Sequence, residues 1–327
     1  MADLPDLAAL TETATLTELV RLQDVLSRAI VRRFQRPQAV VFTDVVGSTP
    51  YFARFGNEAG RKLQQRHFDL LAAVVPAHGG RVVDTAGDGA LLLFPTTAGA
   101  MRAAVDLLAA AARDNDLQPE EHHLALRVGV HHGPVLTDGV MAAGDAVNVG
   151  SRVAGTAEPQ ELRLSAVAWG TLADPELRFR CRRVPAVDLK GVGPTELLVL
   201  DWRDPTRFPS HVKVDGGALA ALPARDVVRF GRLPPGGGEP GNDVILAPAD
   251  PTASKRVGRY HFELRRRGAG CFLRAVSQSP TEVAGRVVAA GEELLVAPGA
   301  VIRVGGVSSV ELVAVGATAD ATLYTAG

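Results

Sequence analysis

The sequence predicts a mixed α+β domain, a sheet with helices over one face, followed by a small all-β sandwich. Three observations lead there. At 327 residues the chain is too long for one ordinary domain, and two is the natural count. Between residues 37 and 202, apolar β-like runs alternate with amphipathic helical stretches, and turn signals join some runs into hairpins. Beyond residue 210 the helical patterns stop, and short β-rich runs follow one another between Gly/Pro turns. The predicted segments are an N-terminal stretch (1–36), the mixed domain (37–202), a linker (203–210), the sandwich (211–316) and a tail (317–327).

From Thr17, the apolar residues Leu19, Leu22, Leu26 and Ala29 recur by three and four, which predicts a short amphipathic helix ended by Pro37. Its apolar stripe suits either a dimer seam or packing on its own domain. A strand is expected over Ala39 to Thr43. A helix over about 58–75 follows, with Leu63, Leu70, Leu71 and Val74 on one stripe, and it stops at His78-Gly79-Gly80. Residues 81–94 read as a hairpin turning at Gly87-Asp88-Gly89. An alanine-rich helix (97–113), a strand (124–131), a turn at Gly133-Pro134 and a strand to about 137 come next. Then follow a helix (145–155), a strand near 162–164, a helix near 166–172 and two closing strands (179–187 and 196–201). In the sandwich, strands are expected at 227–230, 244–246, 261–265, 271–275, 301–304 and 310–315, with a loop over 234–241.

Composition narrows the class. Hydrophobic content of 46% is ample for buried cores, and a net charge of -1 argues against a dedicated nucleic-acid binder or a polybasic membrane patch. The two cysteines, Cys181 and Cys271, lie far apart and have no metal-site spacing, which suits a reducing cytoplasm. The first residues lack the basic region of a signal peptide, and no apolar run approaches the ~20 residues that span a bilayer. A cytoplasmic location is expected.

The chemistry gathers around Thr43-Asp44-Val45-Val46-Gly47-Ser48-Thr49. A strand that delivers a carboxylate beside a helix start can hold a divalent cation, and the free N–H groups of Gly47, Ser48 and Thr49 can bind phosphate. A second carboxylate, Asp88, stands in the hairpin turn. If the hairpin lies beside the first strand, Asp44 and Asp88 can share metal ions. On the predicted helix at 145–155, Asn148 and Arg152 lie one turn apart, an amide and a guanidinium suited to a ribose oxygen and a phosphate. Lys190, in a turn before the last strand, offers one more phosphate contact. Alone, Asp88 reads equally as a turn residue, and Asn148 and Arg152 as helix surface. Their joint occurrence raises them above that. His131 and His132, at a strand end with no other histidine at ligand spacing, read as structural.

Phe42-Thr43-Asp44 with Gly47-Ser48-Thr49, Gly87-Asp88-Gly89, Arg127-Val128-Gly129-Val130-His131, Gly144-Asp145 with Asn148 and Arg152, and Leu189-Lys190-Gly191 occur in series. Over about 37–202 the chain resembles a class III adenylyl/guanylyl cyclase catalytic domain. The resemblance implies a ferredoxin-like α/β sandwich and a head-to-tail homodimer with sites at its interface. Asp44 and Asp88 of one protomer would hold two Mg²⁺ or Mn²⁺ ions, and Asn148, Arg152 and Lys190 would come from the other. The reaction implied is attack of the ribose 3′-oxygen of a nucleoside triphosphate on its α-phosphate, releasing pyrophosphate.

At the base-reading positions the chain departs from the family. Asp84 stands where adenylyl members carry lysine, and Met141 where they carry aspartate. An ionised Asp84 cannot donate, and Met141 makes no strong hydrogen bond. A carboxylate at 84 suits guanine N1–H and its 2-amino group, whereas the bacterial-type motifs point to ATP. ATP is placed slightly ahead of GTP in a pocket that discriminates poorly. The alternative is a catalytically weak or inactive pseudo-cyclase, acting as a dimeric scaffold or as a phosphopeptide-binding adaptor.

In the second domain, Phe230-Gly231-Arg232, then Gly241-Asn242-Asp243-Val244-Ile245-Leu246, then Arg259-Tyr260-His261-Phe262-Glu263-Leu264 resemble a forkhead-associated (FHA) domain, a sandwich that reads phosphothreonine. The resemblance places Arg232 on the phosphate, a sensible partner for a dianion, and implies a phosphothreonine protein as partner and regulation of the cyclase. Ser254, Arg259 and Thr281 are further candidates. Gly258 stands where the family's phosphate-contacting serine falls, and Ser279 replaces its asparagine.

Overall fold

The computed structural model describes residues 12–236, 241–248, 250–268 and 270–314. The expected tail (317–327), the first eleven residues and part of the 234–241 loop lie outside the described residues. The mixed domain comprises α1 (Leu16–Phe34), β1 (Gln35–Val45), α2 (Ser48–Val74), β2 (Arg81–Ala86), β3 (Gly89–Phe94), α3 (Thr97–Asn115), β4 (Leu126–Thr137), β5 (Ala142–Ala143), α4 (Asp145–Gly155), β6 (Leu162–Ser165), α5 (Ala166–Thr171), α6 (Pro175–Phe179), β7 (Cys181–Leu189) and β8 (Gly193–Leu200). Its sheet runs β2-β3-β1-β4-β6-β8-β7, with β5 paired to β4. All pairs are antiparallel except β4 with β6.

The helix α1 begins with a Thr15/Glu18 capping box, which satisfies two of its orphan N–H groups. None of its residues is buried. It ends at Phe34, and the strand starts at Gln35, four residues earlier than the sequence predicts. Pro37 lies inside β1 instead of merely ending the helix. It faces Pro134 of β4, and the ladder to β3 opens only at Ala39, so the missing N–H groups break no pairing. For the same reason Gly133-Pro134 is no turn: β4 runs through it to Thr137. Helix α2 starts at Ser48, ten residues before the expected start, and kinks at Gly56 (φ 82°, ψ 172°).

The expectation of helices over one face needs correction. Val41, Val45, Leu92, Leu126, Val128 and Val130 point to one face of the sheet, where they pack in one core with Leu63 and Leu71 of α2 and Leu107 and Leu108 of α3. Helix α4 lies on the other face, where its Ala146 meets Val40, Leu93 and Val135, and its Val149 and Val153 meet Leu189 and Leu197. The seat for α4 is made by missing side chains. A Cβ on Gly129 of β4 would lie 2.2 Å from the Ala154 nitrogen, and one on Gly133 would lie 2.9 Å from the Ala146 Cβ. Sequence periodicity cannot assign a helix to a face; these contacts do.

The second part holds β9 (His211–Val214), β10 (Ala220–Ala221), β11 (Val227–Gly231), β12 (Val244–Ile245), α7 (Pro251–Lys255), β13 (Phe262–Arg267), β14 (Gly270–Ala275), β15 (Thr281–Val283), β16 (Arg286–Val288), β17 (Glu293–Val296), β18 (Val301–Val304) and β19 (Ser308–Val313). These form a sheet β10-β9-β19-β18-β15-β16 and a sheet β12-β11-β13-β14-β17. Both contribute to one core, in which Phe230 and Phe262 stack with ring centroids 4.4 Å apart. The expected linker is packed. Arg203 donates to the Ala224 carbonyl and the Asp226 carboxylate, and Trp202 Nε1 donates to the Gln160 carbonyl (2.8 Å). Among the described residues, no helix is long and apolar enough to cross a membrane.

Gly129→Val should destabilise the fold by about 1–3 kcal/mol through overpacking, read as a lowered midpoint in urea unfolding. His211 is 7% exposed, and burial, then the charge of Arg182, lowers its pKa from 6.5 to about 4. The folded chain keeps this ring neutral while the unfolded chain protonates it, so stability should be full above pH 6.5 and fall towards pH 4. The slope should be at most about 1.4 kcal/mol per pH unit. Urea unfolding at pH 7.5 and pH 5 should show a smaller acid loss in His211→Asn than in the wild type.

Candidate active site

Strand alternation turns Thr43 towards the helices and Asp44 to the opposite face. There Asp44 sits across from Arg127, its register partner on β4, and the guanidinium pairs with its carboxylate through Nε and Nη2. The hairpin lies against the other edge of β1, with Thr43 opposite Ala90. A Cβ on Gly89 would lie 3.5 Å from Asp44 Oδ1, so the Asp44 carboxylate stands beside the turn that carries Asp88. Gly87, with φ 62°, makes that turn tight.

These elements border a cavity of about 500 Å³ whose lining includes Asp44, Asp84, Gly89, Arg127, Val147 and Ser151. Asn148 and Arg152 do not line it. Arg152 lies on the other flank of α4, with Nη1 and Nη2 each 3.7 Å from where a Cβ of Gly191 would be. That places its guanidinium beside the turn holding the exposed Lys190. The predicted residues thus form two groups in one protomer: Asp44 and Asp88 on one side of α4, Arg152 and Lys190 on the other. Asn148 is exposed one turn before Arg152. Gly47 (φ 78°) caps α2 without a side-chain hydrogen bond, and Ser48 and Thr49 open the helix.

The base-reading pair is split. Asp84 lines the cavity, whereas Met141 is 60% exposed at the β4–β5 connection, where its carbonyl accepts from Thr137 Oγ1 (2.7 Å). Met141 instead borders a groove with Ile30 and Phe34 of α1. Within one protomer, therefore, the two do not face a common base.

Two residues that pattern reading passed over are part of the arrangement. Arg127 appeared only within a motif; its role as the counter-charge of Asp44 follows from register, which the sequence does not display. His67 is fully buried on α2. Its Nδ1 lies 3.1 Å from the Asp88 carbonyl and its Nε2 3.0 Å from Thr43 Oγ1. Burial lowers its pKa to about 4, against the opposing pull of the Asp88 carbonyl and the nearby Asp88 and Asp44 charges. His131 bonds Ser165 Oγ through Nδ1 (2.8 Å), in keeping with a structural role.

Among the described residues no cluster of three or more His, Cys, Asp or Glu forms a metal cage. Asp44, with its carboxylate beside the turn that carries Asp88, and Asp88 itself are oxygen donors of the kind a hard divalent cation takes, its other oxygens coming from phosphate and water.

In the sandwich, Arg232 is exposed, and its N–H donates to the Gly258 carbonyl (3.0 Å). His261 Nδ1 accepts from the Gly258 N–H (2.9 Å) and braces that loop. A Cβ on Gly258 would lie 2.7 Å from Ser277 Oγ, so a serine does not fit there without a shift. Two candidates are not presented as expected. Thr281 is fully buried, with no hydrogen-bond partner for Oγ1 among the described residues. Ser254 lies within the short helix α7. Arg259 is exposed beside the Arg232 loop, its carbonyl accepting from the Leu233 N–H (3.2 Å).

With the sheet and its flanking helices in place, comparison with known proteins gives the family. The family model described as adenylate and guanylate cyclase catalytic domain matches residues 33–201. The chain belongs to that family. Such domains act on a nucleotide, are generally metal-dependent and typically dimerise. A protein named "Putative adenylate cyclase 3" from Rhizobium meliloti is 31% identical over 140 residues, 43% of this chain and 24% of that protein. The serine/threonine-protein kinase pkn2 of Myxococcus xanthus is 29% identical over 116 residues, 35% of this chain and 14% of the kinase. The chain therefore spans about a quarter or less of these relatives. Among solved structures, the guanylate cyclase domain of RhGC from Catenaria anguillulae in complex with GTP is 19% identical, covering 52% of this chain and 99% of that one, with a TM-score of 0.45. The adenylyl cyclase CyaB from P. aeruginosa is 21% identical, covering 51% and 94%, with a TM-score of 0.41.

Proposed function

We propose that the chain cyclises a nucleoside triphosphate, ATP ahead of GTP, at two equivalent sites in a head-to-tail homodimer. One observation carries this reading: Asp44 and Arg152 lie on opposite flanks of α4, so a single protomer supplies two halves that face different ways. A two-fold axis joining the metal half of one copy to the Arg152 half of the other would complete both sites. In each, Asp44 and Asp88 would hold two Mg²⁺ or Mn²⁺ ions, which when bound lower the 3′-hydroxyl pKa and neutralise the triphosphate. The N–H groups at Gly47, Ser48 and Thr49 would receive phosphate oxygens. Across the interface, Asn148 orients the ribose, Arg152 counters charge on the α-phosphate, and Lys190 contacts the remaining phosphates. The 3′-oxygen, losing its proton to solvent, forms a bond to the α-phosphorus as the bond from that phosphorus to the bridging oxygen breaks, and pyrophosphate leaves with that oxygen and the electron pair. The products are a 3′,5′-cyclic nucleotide and pyrophosphate. Asp84 would meet the base on the metal side. The sandwich would regulate this reaction.

Purified chain with Mn²⁺ and either ATP or GTP should yield the cyclic product by chromatography. Asp44→Ala and Arg152→Ala should each lower turnover on the order of 10²-fold or more. Mixed and allowed to exchange, the two variants should recover activity on the order of a quarter of wild type, since half the dimers regain one intact site. No recovery would refute sites shared between protomers.

A second reading, a pseudo-cyclase scaffold, draws on the Arg127–Asp44 ion pair and the separation of Asp84 from Met141. It predicts no cyclic product from either nucleotide at any concentration that permits dimers. For the sandwich we retain the forkhead-associated reading as a proposal, supported by the exposed Arg232 beside the His261-braced loop. A phosphothreonine-peptide library should find a ligand whose binding falls roughly tenfold or more in Arg232→Ala. A wild type that binds no peptide would dispose of this adaptor role.

A further inference from the structure

We propose that His67 is a positioning residue for the two metal-binding carboxylates, tying the Asp88 turn to the end of β1 from the helical side of the sheet. This rests on the cyclase reading above for what the carboxylates do. The tie itself stands on geometry.

His67 sits on the face of α2 that also carries the buried Leu63 and Leu71. A leucine or phenylalanine there would suit the core without desolvating two ring nitrogens. Burying an imidazole is costly unless both nitrogens are bonded, and here both are. A main-chain carbonyl can only accept, so Nδ1 carries the proton and donates to the Asp88 oxygen (3.1 Å). In the neutral ring Nε2 is then an acceptor, and the Thr43 hydroxyl donates to it (3.0 Å). One tautomer and one ring orientation satisfy both bonds. Phe68 stacks on the ring, with centroids 5.5 Å apart, and limits its tilt.

The two partners are the segments that carry the carboxylates. Thr43, 1% exposed, precedes Asp44, and the carbonyl belongs to Asp88 itself. The ladder between β1 and β3 ends at Thr43 and Ala90. Asp88 and Gly89 project past that last pair, and among the described residues the turn is otherwise closed by its own hairpin pair, Ala86 with Gly89. Asp44 is held from the other side by Arg127. Without His67, no described hydrogen bond links the Asp88 turn to β1 beyond the ladder. Groups that orient metal-binding side chains from behind typically change metal affinity or activity by 10–100-fold when replaced.

The test compares His67→Asn, His67→Gln and His67→Phe with wild type. An asparagine amide can overlay Nδ1 and keep the bond to the Asp88 carbonyl; a glutamine amide reaches towards Thr43 and loses it; phenylalanine fills the space and loses both. Mn²⁺ affinity is read by electron paramagnetic resonance in the presence of 3′-deoxy-ATP, which lacks the attacking hydroxyl. It should fall roughly tenfold or more in the Gln and Phe variants and stay within roughly threefold of wild type in Asn. Amide hydrogen exchange of the metal-free protein over residues 82–92 should quicken in Gln and Phe and not in Asn, with exchange in β4 and β6 unchanged. Folded Gln and Phe variants with wild-type exchange over that turn overturn the proposal, as does an Asn variant no better than Phe. A wild type that binds no Mn²⁺ while the turn loosens in Phe would count against the cyclase reading and in favour of the brace.

Discussion

The register of β1 between β3 and β4 is the constraint on which the site depends. It sets Asp44 across from Arg127 and beside Gly89. Because side chains alternate along a strand, a slip of one residue would turn Asp44 into the helical core and Thr43 out to the cavity. Two features hold the register. Val41 and Val45 anchor one face in the main core, while Val40 anchors the other beneath α4. The facing prolines, Pro37 and Pro134, occupy a part of the ladder where no third strand needs their N–H groups.

The second constraint is the close seat of α4. Gly129 and Gly133 leave the backbone of β4 bare where Ala154 and Ala146 come down on it. A helix seated so close to the middle of a sheet divides the surface on that face. Val147 and Ser151 look into the Asp44 cavity, and Arg152 looks towards the β7–β8 turn. On the proposed reading, this division would leave a lone protomer incomplete and give dimerisation a chemical purpose. The electrostatics follow the same plan. Carboxylates and the counter-charge of Arg127 stand on one flank, and Arg152 with Lys190 on the other, so complementary charge would meet across a two-fold axis.

Much of this was readable from the chain. The hairpin at Gly87-Asp88, the helix at 145–155 and the change to an all-β texture near residue 210 are local patterns, and local patterns survive without a fold. The proposed site residues at strand ends and turns, Asp44, Asp88 and Lys190, were named from the same kind of local pattern. The misses share one cause, dependence on a distant partner. Pro37 and Gly133-Pro134 read as breakers because a proline's harm depends on whether a neighbouring strand needs its N–H. Thr281 read as a phosphopeptide-contact candidate, yet it opens β15 with its side chain enclosed. Arg127 carried only a place in a motif and His67 no signal: one looks like an ordinary strand residue and the other like a helix residue.

What the sequence determined by itself was the inventory: which residues carry charge, where the chain turns, and which stretches are period-two or period-3.6, because these depend on neighbours within a few residues. What only the tertiary structure decided was the company each residue keeps. Register chose Arg127 as the partner of Asp44, the choice of face put α4 opposite the other long helices, and the depth of α2 brought His67 under the Asp88 turn. Those outcomes depend on contacts between segments tens of residues apart, where burial and steric fit, not local propensity, set the free energy.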